Sequence, residues 1–501
     1  MIKNVADICL VLEGSYPYVS GGVSSWVHQL VSGLPDFTFA LAVITPDEKF
    51  ERKFRYDLPN NVIAMHEMHL HGGDLPRRGS QRSQAQDWQH LRLFHNTQKP
   101  VEKSDMFKEI FANFFDADTR KYAPNEILNM KKSWELLKEL YASKAPNDSF
   151  LDYFWSIRFI HQPLFKVLCE PLPEAHIYHA VSTGYAGLWA ALGKIKYGKS
   201  LLLTEHGIYT RERRIEISRA EWIYEKNSNS VRLDRSYNHV KHLWNKMFGF
   251  LSRLCYHYAD EIITLTQANL HYQIEEGADR QKLRIIPNGV DVEKLSRLDI
   301  PAKDAGDPFV IGFMGRVVSI KDVKTFIRAC KTAAHAIPRV KVLIMGPTDE
   351  EPAYYEDCKR LVHLLELENI VTFTGKVDIE EYFPLIDIMV LTSISESQPL
   401  VILEANCIGI PCVATDVGAC RELLEGATTG DKALGESGLL AGVTNTREIA
   451  EAIIKLYESP TLRGKMGESG RKRVAKYYSN DALEKKYRAL YLHYKKQQAT
   501  V

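Results

Sequence analysis

Glu396 and Glu404 bracket seven residues within the run SISESQPLVILEA, residues 393 to 405. This spacing predicts a loop that runs straight into a buried helix. Glu396 then sits in the loop and Glu404 about one turn inside the helix. Pro399 suits a first helical position, and Leu400 and Val401 continue the first turn. A helix start offers free backbone N–H groups and the positive end of its dipole, which suit a phosphate. A phosphate cradle between two carboxylates fits a ligand carrying both a diphosphate and several hydroxyls. A nucleotide-sugar is such a ligand.

Other residues supply the complementary charge. Gly315-Arg316 follows an apolar strand pattern, FVIGFMG, and Lys321 opens the next helical pattern. An Arg fork and a Lys point charge can together neutralise a diphosphate, above all one leaving with developing charge. Alone, both cations read more readily as solvated surface; Glu404 in the same half favours the phosphate reading. Glu404 lies in the apolar context VILEANCIG, where a carboxylate needs partners; ribose hydroxyls would supply them, and so would a structural ion pair. Glu396, flanked by Ser395 and Ser397, can accept from sugar hydroxyls or stabilise positive character at an anomeric carbon. Gln398 can add a sugar contact. Earlier in the chain, Gly21 and Gly22 precede a helix and permit close backbone approach, although any tight turn can use them. His206, in LLLTEHGIYTRERR, falls at the end of an apolar strand pattern, where functional residues collect, with Glu205 a weaker acid/base candidate. Asn288, in IPNGVD, is an Asn-Gly turn signal and a further cleft candidate.

The whole chain bounds the possibilities. At 501 residues it exceeds one hydrophobic core, so two or three domains are expected. Its 64 basic and 63 acidic side chains leave a formal charge of +1, which argues against nucleic acid as a partner. No run approaches the length of a membrane span. The start, MIKNVADICLVLEG, reads as a first strand and not as a signal peptide. Eight scattered cysteines without a CxxC pair read as reduced core thiols, consistent with cytoplasm. No His/Asp/Glu constellation has metal-ligand spacing, and the absence of GxGxxG disfavours a dinucleotide dehydrogenase. The basic residues between Arg471 and Lys496 read as a solvated face, with contact to an anionic membrane surface as the alternative.

Strand and helix patterns alternate over residues 6–45, 175–291 and 309–497, which predicts parallel sheets. The polar and aromatic stretch from about 68 to 172 is too long for a connection and reads as a helical insertion or lid. A polar Pro/Gly segment, 293–308, reads as an interdomain linker. The expected fold is α/β, two doubly wound Rossmann-like domains facing across a cleft: residues 1–295 on the acceptor side and 296–480 binding the nucleotide-sugar. A last helix, 481–501, is expected to pack back toward the first domain.

Together these motifs resemble the GT-B retaining glycosyltransferases of family four. Glu396 and Glu404 look like that family's E-x7-E element; Gly315-Arg316 with Lys321, Gly21-Gly22, IPNGVD and GIPCVATDVGA occur in the family's order. More narrowly, LVLEGSYPYVSGGVSSWVHQLVSGLP, LTEHGIYTRER and GRVVSIKDVKTFIRAC are similar to the PelF-type subgroup, soluble glycosyltransferases of Pel exopolysaccharide synthesis. The resemblance implies that Arg316 and Lys321 hold the diphosphate, Glu404 the ribose, Glu396 the donor sugar, and His206 the sugar from the opposite domain. It implies no cofactor, no metal, a UDP-sugar donor, a polysaccharide acceptor and a membrane synthase complex as partner, with the protein cytoplasmic or peripheral at the inner face of the membrane. Ser397-Gln398-Pro399 departs from the Gly-Phe-Gly of many relatives and bears on which sugar is used. A nucleotide-sugar epimerase and a non-catalytic nucleotide-sugar-binding subunit are the alternatives.

Overall fold

The structure is a computed structural model that describes residues 5–79, 85–97, 99–219, 235–298, 300–301, 304 and 306–499. The chain divides into two compact units. The first comprises residues 1–264, 271–284 and 488–501, and the second 265–270 and 285–487. The start of the second unit therefore lies at Ile285, ahead of the polar segment 293–308; residues 299, 302, 303 and 305 of that segment lie outside the described residues.

The first unit is built on a parallel sheet of seven strands. These are β1 (Ala6–Glu13), β2 (Phe39–Thr45), β3 (Val62–His69), β4 (Ala175–Ala180), β5 (Ser200–Glu205), β6 (Glu261–Thr264) and β7 (Leu283–Ile285), in the order 3-2-1-4-5-6-7. The central strands are apolar on both faces because helices cover both: every residue of β2 and β5 is buried. The predicted strand over 282–291 is only three residues long, because the chain turns out of the ladder toward Pro287. The strand β3, VIAMHEMH, has no counterpart in the sequence reading. It is an edge strand, half-exposed and interrupted by His66 and Glu67, so the apolar signal is weak.

The insertion carries five helices among the described residues: Ala85–Asn96, Pro100–Phe114, Pro124–Ile127, Lys131–Lys144 and Phe150–Cys169. Its aromatic content explains how it stays attached. Trp88, Phe107, Phe111, Phe114, Phe115, Tyr122 and Phe165 are buried in the same apolar cluster as the first sheet's strands. Residues 80–84 of the insertion, and 220–234 of the charged helical stretch expected over 211–257, lie outside the described residues. At the chain's end, Tyr491 reaches the first sheet and bonds His179 Nδ1 at 2.7 Å.

The second unit repeats the plan with β8 (Phe309–Met314), β9 (Val340–Met345), β10 (Val371–Gly375), β11 (Ile388–Leu391), β12 (Cys412–Thr415) and β13 (Gly438–Ala441), ordered 10-9-8-11-12-13. The four-residue strand β13, GLLA, was too short to register as a pattern. Two apolar clusters flank this sheet. All eight cysteines are free thiols, seven of them buried. A fully buried ion pair, Arg473 with Asp431, sits in this interior. Arg473, fully buried, donates to Asp431 Oδ1 at 2.7 Å, Leu424 O at 2.9 Å, Ser437 Oγ at 3.0 Å and Gly435 O at 2.6 Å. The guanidinium ties the helix Pro460–Tyr477 to the turn before β13.

Truncating Arg473 leaves a buried Asp431 uncompensated, so Arg473→Ala should cost about 3–5 kcal/mol. Breaking the exposed pair Arg447–Glu451 should leave the stability essentially unchanged. Urea denaturation of the two variants checks this; a loss below about 1 kcal/mol for Arg473→Ala would show that the pair does not hold the fold.

Candidate functional site

In both sheets the strand order reverses beside the first strand, between β1 and β4 and between β8 and β11. Ligands of open α/β sheets bind outside strand C-terminal ends at such points. Both glutamates and both cations singled out in the second half follow β8 or β11. These two strands pair directly, Ile311 with Ile388 and Gly312 with Met389.

The chain leaves β8 at Gly315-Arg316 and makes a short 3-10 turn, Ser319–Lys321. Glu351 fixes that turn by accepting from Ser319 N at 3.0 Å and Ser319 Oγ at 3.2 Å. Asp322, in the left-handed region at φ 47°, caps the following helix, Val323–Ala336, by accepting from Thr325 N. Leaving β11, Thr392 Oγ1 donates to the carbonyls of Lys321 and Asp322, and Ile394 N donates to Ile320 O at 2.9 Å. The two turns are thus laced together. Their side chains meet: Lys321 Nζ forms an ion pair with Glu396 Oε1, which also accepts from Ser393 Oγ at 2.6 Å. Both side chains of the pair are largely buried.

The loop continues over a glycine. Ala419 N donates to Ser397 O at 2.8 Å, and Gly418, at φ +52°, lies so close that a Cβ there would stand 2.1 Å from Glu396 O. Ser397 Oγ accepts from Asn269 Nδ2 at 3.1 Å. Gln398 Oε1 accepts from Asn288 N at 2.7 Å, so its carbonyl oxygen has a partner in the chain and its Nε2 is the atom left for a sugar contact. Asn288 keeps a buried Oδ1 with no hydrogen-bond partner. Pro399 is the N-cap of the helix Leu400–Cys407 and provides no side-chain cap, so the N–H groups of the first turn face no side-chain acceptor.

Glu404 is the fifth residue of that helix. Burial alone pushes its carboxyl up to about 7, and among the described residues it has no hydrogen-bond or ion-pair partner. The structural ion pair that would have explained it is absent. Arg316 differs: it is half-exposed and donates to both carboxylate oxygens of Glu350 at 2.6 Å. Glu350 and Glu351 escaped the sequence reading, although both follow the end of β9 and so obeyed the rule that singled out His206. Asn269 carried no local signal.

In the first unit, Gly21 is the extended N-cap of the helix Gly22–Gly33, and a Cβ at either glycine would meet nothing within 4 Å. The fold itself does not demand glycine there. Trp26 of this helix stacks edge-on against His206, 4.5 Å between ring centres. Burial lowers the His206 imidazole to about 4, so it is neutral at pH 7, and its buried Nε2 has no hydrogen-bond partner. Glu205 is used structurally: it accepts from Tyr209 N at 3.1 Å, Tyr256 OH at 2.7 Å and Gln273 Nε2 at 2.8 Å, yet burial lifts it to about 7. Glu13, at the end of β1, was not anticipated. It caps the helix after β4 through Tyr185 N at 2.9 Å and accepts from Tyr209 OH at 2.7 Å.

Known proteins show the same organisation. Residues 6–281 match the model described as "Domain of unknown function (DUF3492)", and 298–473 match "Glycosyl transferases group 1". D-inositol 3-phosphate glycosyltransferase of Kineococcus radiotolerans is 29% identical over 239 residues, covering 43% of this chain and 53% of that protein. N-acetyl-alpha-D-glucosaminyl L-malate synthase of Bacillus anthracis is 33% identical over 152 residues, 30% of this chain and 37% of that protein. The chain thus spans about half the length of these curated relatives, or less. In structure, HepE of Anabaena in complex with UDP and glucose superposes with a TM-score of 0.59 at 15% identity, covering 97% of this chain and 99% of that one. The fold is therefore GT-B, two parallel-sheet Rossmann-like domains, and the chain belongs to the DUF3492 family, with residues 298–473 similar to the group 1 glycosyltransferases.

Proposed function

We propose that the protein is a retaining, metal-independent glycosyltransferase that moves a hexose from a nucleotide diphosphate sugar, UDP-linked, to a growing exopolysaccharide in the manner of the PelF-type subgroup. The observation that carries the reading is Glu404: a carboxyl pushed up by burial, with no partner among the described residues, one turn inside a helix start without a side-chain cap. A ribose diol supplies the two donors it lacks, and the helix start takes the adjoining phosphate. Of the proteins named above, one is called a glycosyltransferase and HepE is in complex with UDP and glucose, which supports the donor class.

In this reading, Lys321 and Glu396 hold each other until the donor arrives. The diphosphate then takes Lys321 and Arg316, and Glu396 turns to the hydroxyls of the sugar. The C1–O bond to the diphosphate breaks as the acceptor oxygen bonds to C1 on the same face. The acceptor proton passes to the leaving diphosphate oxygen, whose charge the two cations stabilise. A thermal-shift screen over nucleotide-sugars, followed by assays with and without acceptor, tests the class. Turnover of donor alone into an isomeric donor, or binding without turnover, would overturn it.

Arg316→Ala and Lys321→Ala should each lower turnover by roughly a hundredfold or more, about 3 kcal/mol per lost transition-state contact. Steady-state assays of donor consumption check this, and full activity in both variants removes them from the site.

Donor binding should also follow the Glu404 proton. The ionised carboxylate is the better acceptor for ribose hydroxyls, so affinity should rise with pH through about 7. Without donor the sign is opposite. The folded carboxyl binds its proton more tightly than the unfolded one, so the folded state loses stability as pH rises toward about 7. Glu404→Gln should therefore melt like the wild type near pH 4, melt higher at pH 8, and bind donor weakly at both. Calorimetric titration and melting curves at the two pH values measure each arm; a variant that binds donor normally excludes the ribose role.

A further inference from the structure

The helical insertion carries a surface that neither the fold nor the proposed reaction uses. Along the helix Phe150–Cys169, Leu151, Trp155 and Phe159 recur every four residues and so share one face. They are 63%, 49% and 62% exposed. Trp134, 43% exposed, extends the patch from the first turn of the helix Lys131–Lys144, where it packs on Phe150 and Phe154 at 5.6 and 5.9 Å between ring centres. Large side chains clustered in this way mark an interaction surface, whereas isolated exposed apolar residues do not.

What the patch adjoins identifies the occupant. Lys131 and Lys132 begin the same helix as Trp134 and line a cavity of about 440 Å³ together with Arg77, Arg78 and Lys121. Glu126 is the one carboxylate on that wall. Arg77 is shared with Asp74 and Lys121 with Asp87, but Arg78, Lys131 and Lys132 have no ion-pair partner among the described residues. Trp88 also lines the cavity, and its buried Nε1 donor has no acceptor. Within the stripe, Arg158 lies 5.5 Å over the Phe154 ring, so a cation accompanies the apolar face as well.

We propose that this surface docks the protein on an anionic lipid bilayer, with the Leu/Trp/Phe stripe in the acyl boundary and the Arg78–Lys131–Lys132 cavity on lipid phosphates. Trp, Phe and Leu beside Lys and Arg match the two layers of such an interface, apolar below and anionic above. A protein partner would meet the same stripe but would not require a neighbouring cavity biased to one sign of charge. Among the described residues no helix is long and apolar enough to cross a membrane, so this contact would be peripheral.

Flotation of the full chain with vesicles of phosphatidylcholine alone, or containing a quarter phosphatidylglycerol, tests the proposal. The protein should float with the anionic vesicles, stay behind with the zwitterionic ones and be released by high salt. Trp155→Ser with Phe159→Ser, and separately Lys131→Glu with Lys132→Glu, should each lower the partition about tenfold or more. Both double variants should keep the wild-type melting temperature and nucleotide-sugar binding, since these side chains are exposed and none is among the residues assigned to the donor. Failure to float, equal flotation on both vesicle types, or flotation unchanged in both variants would overturn it and leave the stripe to a protein partner.

Discussion

The Lys321–Glu396 ion pair joins the turns that follow the two strands flanking the reversal of the second sheet. A largely buried pair is only weakly stabilising in itself, because desolvation offsets most of the attraction. Its geometric consequence is larger. It sets the side chain that can hold a phosphate beside the one that can hold a sugar, and it does so with both charges satisfied before any ligand enters. Around it, Thr392, Glu351 and Ser393 spend their hydrogen bonds on holding the two turns in register. Arg316 has no such cage; it is half-exposed and paired with a half-exposed Glu350. The two cations therefore differ in setting, Lys321 in a largely buried pair and Arg316 in a half-exposed one.

Glu404 differs from the charged groups around it. Lys321, Glu396 and Arg316 are in ion pairs, whereas its largely desolvated carboxyl has no partner among the described residues. Such a group lowers the stability of the empty protein and becomes favourable only when donors arrive, which is the exchange expected where function competes with stability. His206 shows a milder form in the first unit. Burial keeps it neutral, and its Nε2 waits for a partner, but a neutral imidazole is far cheaper to leave unpaired than a charge. Glu205, one residue earlier, shows that position at a strand end is not enough. Its three donors tie it into the interior, and the strand-end rule alone could not separate the two.

The sequence was most legible where chemistry and periodicity coincide. The buried strands β1, β2, β5, β8 and β9 stand out as apolar runs, and the loop-to-helix step between Glu396 and Glu404 falls where the proline and the apolar residues placed it. Strands without a full apolar face were lost: β3 at the sheet edge, with His66 and Glu67 in its middle, and β13 with only four residues. Partners distant in sequence were lost for a different reason. Asn269 and Ser397 are 128 residues apart, and Gln398 and Asn288 are 110 apart. Side-chain type announces that such groups can bond but not to whom. For Gln398 this adds a role, because its amide oxygen also braces two loops of the same unit.

Two glycines show how backbone geometry, and not side-chain chemistry, places Glu396. Gly346 has φ +140°, and a Cβ on it would lie 2.1 Å from Gly315 O, so the ends of β8 and β9 can approach only with glycine there. Gly418 has φ +52°, and its missing Cβ leaves room for the carbonyl of Glu396 itself. Any other residue at 418 would force the loop upward by the width of a methyl group and would adopt a left-handed conformation at a cost of roughly 1 kcal/mol or more. A rise of that size separates Glu396 from Lys321, whose contact tolerates little slack. The run GIPCVATDVGA, which by itself offers no titratable group suited to catalysis beyond Asp416, is thus part of the site through its glycine: it supplies the floor on which the first glutamate rests.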